Sequence, residues 1–267
     1  PAGPPATPTP ADTPRPPSST PTGTPASPPT PPPSPTQTPG GPSATPVATT
    51  TPCPLSFADV HASDYFAGPV LYLACRDVIS GYSDSTFRPY NTTTRAQQVK
   101  IIVLGFSIPI STPAAGAYTF ADVPPSFPFW SVIETATGHS LVSGYGCGGP
   151  GEPCDRQNRP YFRPYANVTR GQLAKMVTGA AGWPLITPAG PSFADVLPGS
   201  AFYLFVETAA GHGVISGYAC GGRGEPCDGA HRPYFRQYNN ATRGQVAKIV
   251  YGALIAVPAG PAAGYAP

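Results

Sequence analysis

The sequence predicts a mainly α-helical protein: three helix-loop-helix repeats packed as one pseudo-threefold bundle, preceded by an extended proline/threonine-rich tail. Three observations carry that prediction. Residues 1–56 hold 21 prolines and 13 threonines, no aromatic residue, and only Asp12 and Arg15 as charges. The words FADV (from Phe57, Phe120 and Phe193), SGY (from Ser80, Ser143 and Ser216) and FRPY or FRQY (from Phe87, Phe162 and Phe235) recur in one order. Each of the last words leads into a Thr-Arg dipeptide, at Thr94, Thr169 and Thr242, and then an apolar pattern of helical period. Repetition at this spacing marks small units that cannot cover their own apolar faces and bury them on one another.

Residues 1–52 have too little apolar surface to offset the entropy of ordering them and are read as a polyproline-biased tail. Repeat 1 is assigned to 53–111, repeat 2 to 112–184, and repeat 3 with a short C-terminal extension to 185–267. In each, the Phe and Val of FADV flank a turn-forming Asp, and a first helix follows. The segments GPVLYLACRDVIS and FPFWSVIETATGHSLVS space their apolar residues three and four apart. Pro69 or Pro128 is expected to open this helix, and Gly81, Gly144 or Gly217 to close it through a left-handed backbone. The second helix has a clear start: Thr94, Thr169 and Thr242 as caps, with Gln97, Gln172 and Gln245 three residues on to complete capping boxes. Its buried face is expected at Val99, Ile102 and Phe106 in repeat 1, and at Leu173, Met176 and Val177 in repeat 2.

Ser80 and Phe87 lie 7 positions apart, whereas Ser143 and Phe162, like Ser216 and Phe235, lie 19 apart. The extra residues carry CGGPGEPC (Cys147 to Cys154) and CGGRGEPC (Cys220 to Cys227). Together with Cys53 and Cys75 they make three sequence-local pairs in a chain poor in Lys and Glu, which implies three disulfides and an oxidising, extracellular setting. A metal is not expected, because each loop offers two soft ligands across a gap wider than a zinc knuckle, and His231 has no counterpart in the other loop. Each short loop closure should stabilise by about 2–3 kcal/mol. The pair Cys53–Cys75 would fasten the end of the tail to the first helix. No apolar run reaches the roughly 20 residues of a membrane span, and Pro1 is read as following a leader already removed.

With 15 basic and 13 acidic residues the net charge is +2, too small and too dispersed for a nucleic-acid binder. No nucleophile elbow, zinc-protease or phosphate-loop motif occurs. His139 and His212 follow Glu134 and Glu207 by five residues, which puts them on different sides of a helix, and repeat 1 has Leu71 and Arg76 there. No enzyme and no cofactor are therefore expected; the histidines read as helix-end residues. The sequons at Asn91, Asn167 and Asn240 fall before the second helix of each repeat. They are candidates for covalent glycans at symmetry-related sites, with turn stabilisation as the alternative. The tail's Thr and Ser between prolines resemble an O-glycosylated stalk.

The order FADV, aromatic-bearing helix, VISGYSDSTFRPYNTTTRAQ and final apolar helix resembles the S-layer homology (SLH) repeat, in three consecutive copies from Phe57 to about Val257. The resemblance implies a three-pronged helical domain on a bacterial cell surface, where such domains hold exported proteins by binding cell-wall-linked polysaccharide, often with acidic or pyruvylated sugars. By similarity Arg95, Arg170 and Arg243 are carbohydrate-groove residues, with Trp130 as an aromatic platform. Two departures stand out. The family's acid after the Thr-Arg word is Gln97, Gln172 or Gln245 here, and the Asp-Gly of its central turn is Asp84-Ser85. With no second domain to anchor, the first expectation is a structural homopolymer: a subunit of an extracellular filament or S-layer-like assembly whose tail packs on loop tyrosines of neighbouring copies, such as Tyr90, Tyr165 and Tyr238. The alternative is a non-catalytic carbohydrate-binding module anchoring a surface protein.

Overall fold

A computed structural model describes residues 53–114 and 116–257, so the tail assigned to 1–52 and the extension after Val257 lie outside the described residues. Six helices follow in chain order: α1 Ala67–Ala74, α2 Arg95–Gly105, α3 Trp130–Gly138, α4 Arg170–Ala180, α5 Tyr203–Gly211 and α6 Arg243–Ala256. Only isolated β-bridges accompany them among the described residues, so the chain is mainly α.

The three longer helices, α2, α4 and α6, touch one another, while α3 packs on α2, α5 on α4 and α1 on α6. The first helix of each repeat thus covers the second helix of the preceding repeat, and α1 returns to cover the last. This exchange gives each amphipathic pair the partner it lacks within its own repeat. Leu73, Ile102, Ile133, Leu173, Val206 and Val250 are fully enclosed and belong to one continuous core.

The helix starts explain how the circle closes. Thr94, Thr169 and Thr242 accept the N–H of Gln97, Gln172 and Gln245 through their hydroxyls, and each glutamine Oε1 accepts the threonine N–H in return. The next two amides of each helix would otherwise lack acceptors. They donate to another repeat: Arg95 and Ala96 to Ala166 and Pro164, Arg170 and Gly171 to Asn239 and Gln237, Arg243 and Gly244 to Asn91 and Pro89. Between these points a ring of three bonds runs from Thr93 N–H to Ala241 O (3.1 Å), Ala241 N–H to Val168 O (2.9 Å) and Val168 N–H to Thr93 O (2.9 Å). All three residues are fully buried.

Two expectations about the first helix need correction. Pro128 precedes the N-cap Phe129 and Pro69 is the third residue of α1, so neither opens its helix as a first residue. The closing left-handed residues are Asp77, Ser140 and Gly213, at φ +56°, +57° and +70°, not the later glycines. Gly81, Gly144 and Gly217 are required for space instead. A Cβ on Gly144 would stand 2.7 Å from the Phe120 ring and 2.8 Å from Pro160 Cβ, and one on Gly217 would stand 2.9 Å from Tyr234 O.

The FADV aspartates are also more than local turn formers. Asp59, Asp122 and Asp195 each accept two backbone N–H groups from the distant FR dipeptide: Phe87 and Arg88, Phe162 and Arg163, Phe235 and Arg236, at 2.6–2.7 Å. The arginines there are left-handed, at φ +58° to +59°, and the carboxylate holds that costly conformation in place. The ring of each FADV phenylalanine packs on the FR phenylalanine, with centroids 5.2–5.5 Å apart. Replacing Asp122 with Ala should therefore lower stability by about 1.5 kcal/mol, since hydrogen bonds to a charged acceptor are the stronger kind; urea unfolding with an unchanged midpoint would contradict this.

Candidate functional site

The second helices begin with Arg95, Arg170 and Arg243, and capping fixes where these side chains leave the backbone. Each crosses into the next repeat. Arg95 donates from Nε to Phe162 O (2.9 Å) and from Nη2 to Ser143 O (3.0 Å). Arg170 does the same with Phe235 O (2.8 Å) and Ser216 O (3.2 Å), and Arg243 with Phe87 O and Ser80 O (both 2.8 Å). Only part of each donor fork is used in these bonds, and each arginine lines a groove. Burial pushes all three guanidinium pKa values down, and the adjacent tyrosines Tyr145, Tyr218 and Tyr82 oppose that shift.

Three grooves open beside these arginines. One is lined by Arg95, the Leu141–Tyr145 segment, Gln172, Lys175, Met176 and Phe202. The second has Arg170, Val214–Tyr218, Gln245, Lys248 and Tyr65. The third has Arg243, Val78–Ser80, Gln97, Lys100 and Phe129. Each groove draws on three separate stretches of the chain: the arginine from one, the SGY loop, glutamine and lysine from a second, and the aromatic from a third. Their volumes are ≈ 220, 200 and 140 Å³, and the two larger ones border the repeats that carry the cysteine loops. Among the described residues no carboxylate pairs with the three arginines or with Lys100, Lys175 and Lys248. Each groove therefore holds two cations that no carboxylate salt-bridges, Asp122, Asp195 and Asp59 acting on the arginines only from farther off.

The groove wall is stiffened from behind. Tyr145 lies against the guanidinium of Arg95 (5.1 Å from ring centroid) and of Arg163 (4.0 Å), and Tyr218 against Arg170 (5.2 Å) and Arg236 (4.0 Å). Gln172 and Gln245 also donate from Nε2 to Tyr145 and Tyr218 hydroxyls. Arg163 and Arg236 in turn form two-bond ion pairs with Glu152 and Glu225 of the cysteine loops, at 2.7–2.8 Å. In repeat 1, Arg88 makes the corresponding stack on Tyr82 (3.9 Å) and pairs with Asp84.

Those loop carboxylates are acidified. Hydrogen bonds from Arg163 and Arg236 hold Glu152 and Glu225 below the ordinary range, and the backbone N–H and then the guanidinium of Arg159 and Arg232 do so for Asp155 and Asp228. Asp84 is lowered to about 2, first by the Thr86 hydroxyl and then by Arg88. A depressed carboxyl pKa contributes stability above its unfolded value that is lost as pH falls through the folded value. The stabilisation from these pairs should thus persist at pH 5 and fade on acidification, at Asp84 between its ordinary 3.8 and about 2. Carboxyl chemical shifts followed by NMR from pH 5 to pH 2 check this; midpoints at ordinary values would refute it.

The other sequence candidates divide. Cys53–Cys75, Cys147–Cys154 and Cys220–Cys227 are disulfides, with no free cysteine among the described residues. Trp130 is not a groove residue: it is the first residue of α3, equivalent to Ala67 and Tyr203, and its buried indole N–H lacks a partner. The groove aromatic is its neighbour Phe129. The sequons are not equivalent either. Asn167 and Asn240 stand two residues before their caps, in the register of Thr92, whereas Asn91 stands three before. All three asparagines are exposed, but the sequon hydroxyl of Thr93 is buried, and those of Thr169 and Thr242 cap helices. His139 and His212 cap the C-termini of α3 and α5. Glu134 and Glu207 accept the N–H and hydroxyl of Thr119 and Ser192, a structural use. The sequence reading missed Lys100, Lys175 and Lys248, although each recurs six residues after its threonine cap.

Fold and site together define a helical domain with three cationic, aromatic-edged grooves, each assembled across repeat boundaries. An S-layer homology domain is found at residues 56–97 and 119–174, which take in α1, α3 and the starts of α2 and α4. No curated protein matches the chain.

Proposed function

We propose that this is an extracellular protein of a bacterial cell surface, built from three SLH-like repeats in a pseudo-threefold bundle, whose grooves bind an anionic cell-wall polysaccharide without catalysis. The observation that carries this reading is the arginine and lysine in every groove, neither salt-bridged to a carboxylate, set beside an aromatic edge. A guanidinium fork matches carboxylates, and an aromatic face suits a sugar ring. The third repeat supports the count of three through its own FADV clasp, capping box and groove, which duplicate those of the other two. Three equivalent grooves on one polymer chain would raise avidity far above single-site affinity.

The test uses the lysines, because the arginines also hold the fold. Exchanging Lys100, Lys175 and Lys248 for Gln should leave the helical circular dichroism unchanged while weakening retention on purified anionic wall polysaccharide at least about tenfold through the summed loss of three charges. Retention equal to the parent protein would reject the grooves as the site.

A second reading is favoured by the exposure of Tyr90, Tyr165 and Tyr238, at 73%, 79% and 71%. Such rings offer landing points for proline-rich segments of neighbouring copies, as in a filament or S-layer-like homopolymer. Deleting residues 1–52 and finding the same polymers by electron microscopy would sink the tail's part in it.

A further inference from the structure

We propose that the cysteine loop of the third repeat is a redox-gated metal site: once reduced, Cys220 and Cys227 join His231 to hold a thiophilic divalent cation of the zinc class. The ligand atoms of these three side chains lie within 4.8 Å of one another. Tetrahedral zinc with sulfur at about 2.3 Å and nitrogen at about 2.0 Å sets its ligands roughly 3.5 Å apart, so the imidazole needs little more than 1 Å of closure, while the two sulfurs, bonded in the disulfide, move apart once reduced. The two cysteine Cα atoms already stand 4.9 Å apart.

A comparison inside the chain singles out His231. The loop of the second repeat has the same disulfide spacing, the same Asp clasp and the same left-handed position, at φ +50°, but there the residue is Asn158. Asn is a common occupant of that conformation, and at the matching φ of +50° the third repeat carries an imidazole instead. Asp228 is already engaged by the N–H groups of Ala230 and Arg232 and by the Arg232 guanidinium. The protein thus supplies three ligands, and Cys227 and His231 are exposed, leaving the fourth position to solvent.

The chemistry balances with a small dithiol as reductant. It gives two electrons and two protons to the Cys220–Cys227 bond and leaves as its own cyclic disulfide. Each cysteine thiol then releases one proton to solvent as its sulfur takes the cation, and the imidazole binds in its neutral form. The disulfide and the metal-bound state exclude each other.

Full-length protein reduced with a dithiol, cleared of it and alkylated with or without Zn²⁺ provides the test, with each cysteine read by mass spectrometry. Zinc should slow alkylation of Cys220 and Cys227 at least about tenfold relative to Cys147 and Cys154, and His231→Asn should abolish that difference. Co²⁺ should give a thiolate charge-transfer band that His231→Asn removes. Equal protection of both pairs, as an unfolded reduced chain would also give, overturns the proposal, and so does protection that survives His231→Asn.

Discussion

Replacing Arg170 with methionine is expected to lower stability by about 3 kcal/mol or more, because two partly enclosed carbonyl oxygens lose their donors at once. Arg170 is only 5% exposed, and its Nε and Nη2 serve Phe235 O and Ser216 O in the following repeat. Its guanidinium also lies 4.5 Å from the Phe235 ring centroid, a contact worth about 1 kcal/mol when desolvated. Methionine keeps the length and apolar contact of the stem but supplies no N–H. Relief of the buried charge offsets part of the loss. Urea denaturation would show a lower midpoint with an unchanged slope, while Lys248→Gln in the same groove leaves the midpoint in place. An unaltered midpoint for Arg170→Met would mean that solvent replaces the guanidinium without cost.

Replacing Gln98 with leucine should act in the opposite direction and stabilise by about 2 kcal/mol, the cost of burying an amide without partners. Gln98 is fully buried, and neither its Oε1 nor its Nε2 has a hydrogen-bond partner. Counted from the caps, Leu173 in α4 and Val246 in α6 occupy the same register, so the site already accepts apolar residues in the other two repeats. For a domain of this size that gain corresponds to a melting temperature higher by about 5 °C. A lower melting temperature would reveal a buried water bridging Gln98 to the equally unpartnered Thr93 hydroxyl.

The helices and their caps were legible because they rest on local rules: Thr94 and Gln97 satisfy each other within one turn, and nothing distant is needed to read them. The two loop disulfides were legible because a separation of 7 positions in glycine-rich chain leaves little choice of partner. What failed was everything set by neighbours in space. Gly144 looked like a helix terminator because a glycine after an apolar run is a common stop, yet the Phe120 ring is what excludes a side chain there. Trp130 stood out by size, whereas its neighbour Phe129, at the N-cap of α3, is the aromatic that lines the groove. Asp122 looked like a turn residue because its partners are 40 and 41 positions away. Arg95, Arg170 and Arg243 were named from the Thr-Arg word alone, whereas the carbonyls that orient them lie in a distant part of the chain.

The ring of bonds through Thr93, Val168 and Ala241 carries a consequence for evolution by duplication. In an open solenoid each end is a free surface, and a further repeat can be added with the interface the others use. Here α1 already occupies the face of α6 that a fourth repeat would need, and Gly244 already donates to Pro89. Adding or deleting one repeat would leave two helix faces and several backbone groups stranded. With α1 packed on α6, none of the six described helices is left as an open end, and the extra length is found in the loops, at the two twelve-residue insertions.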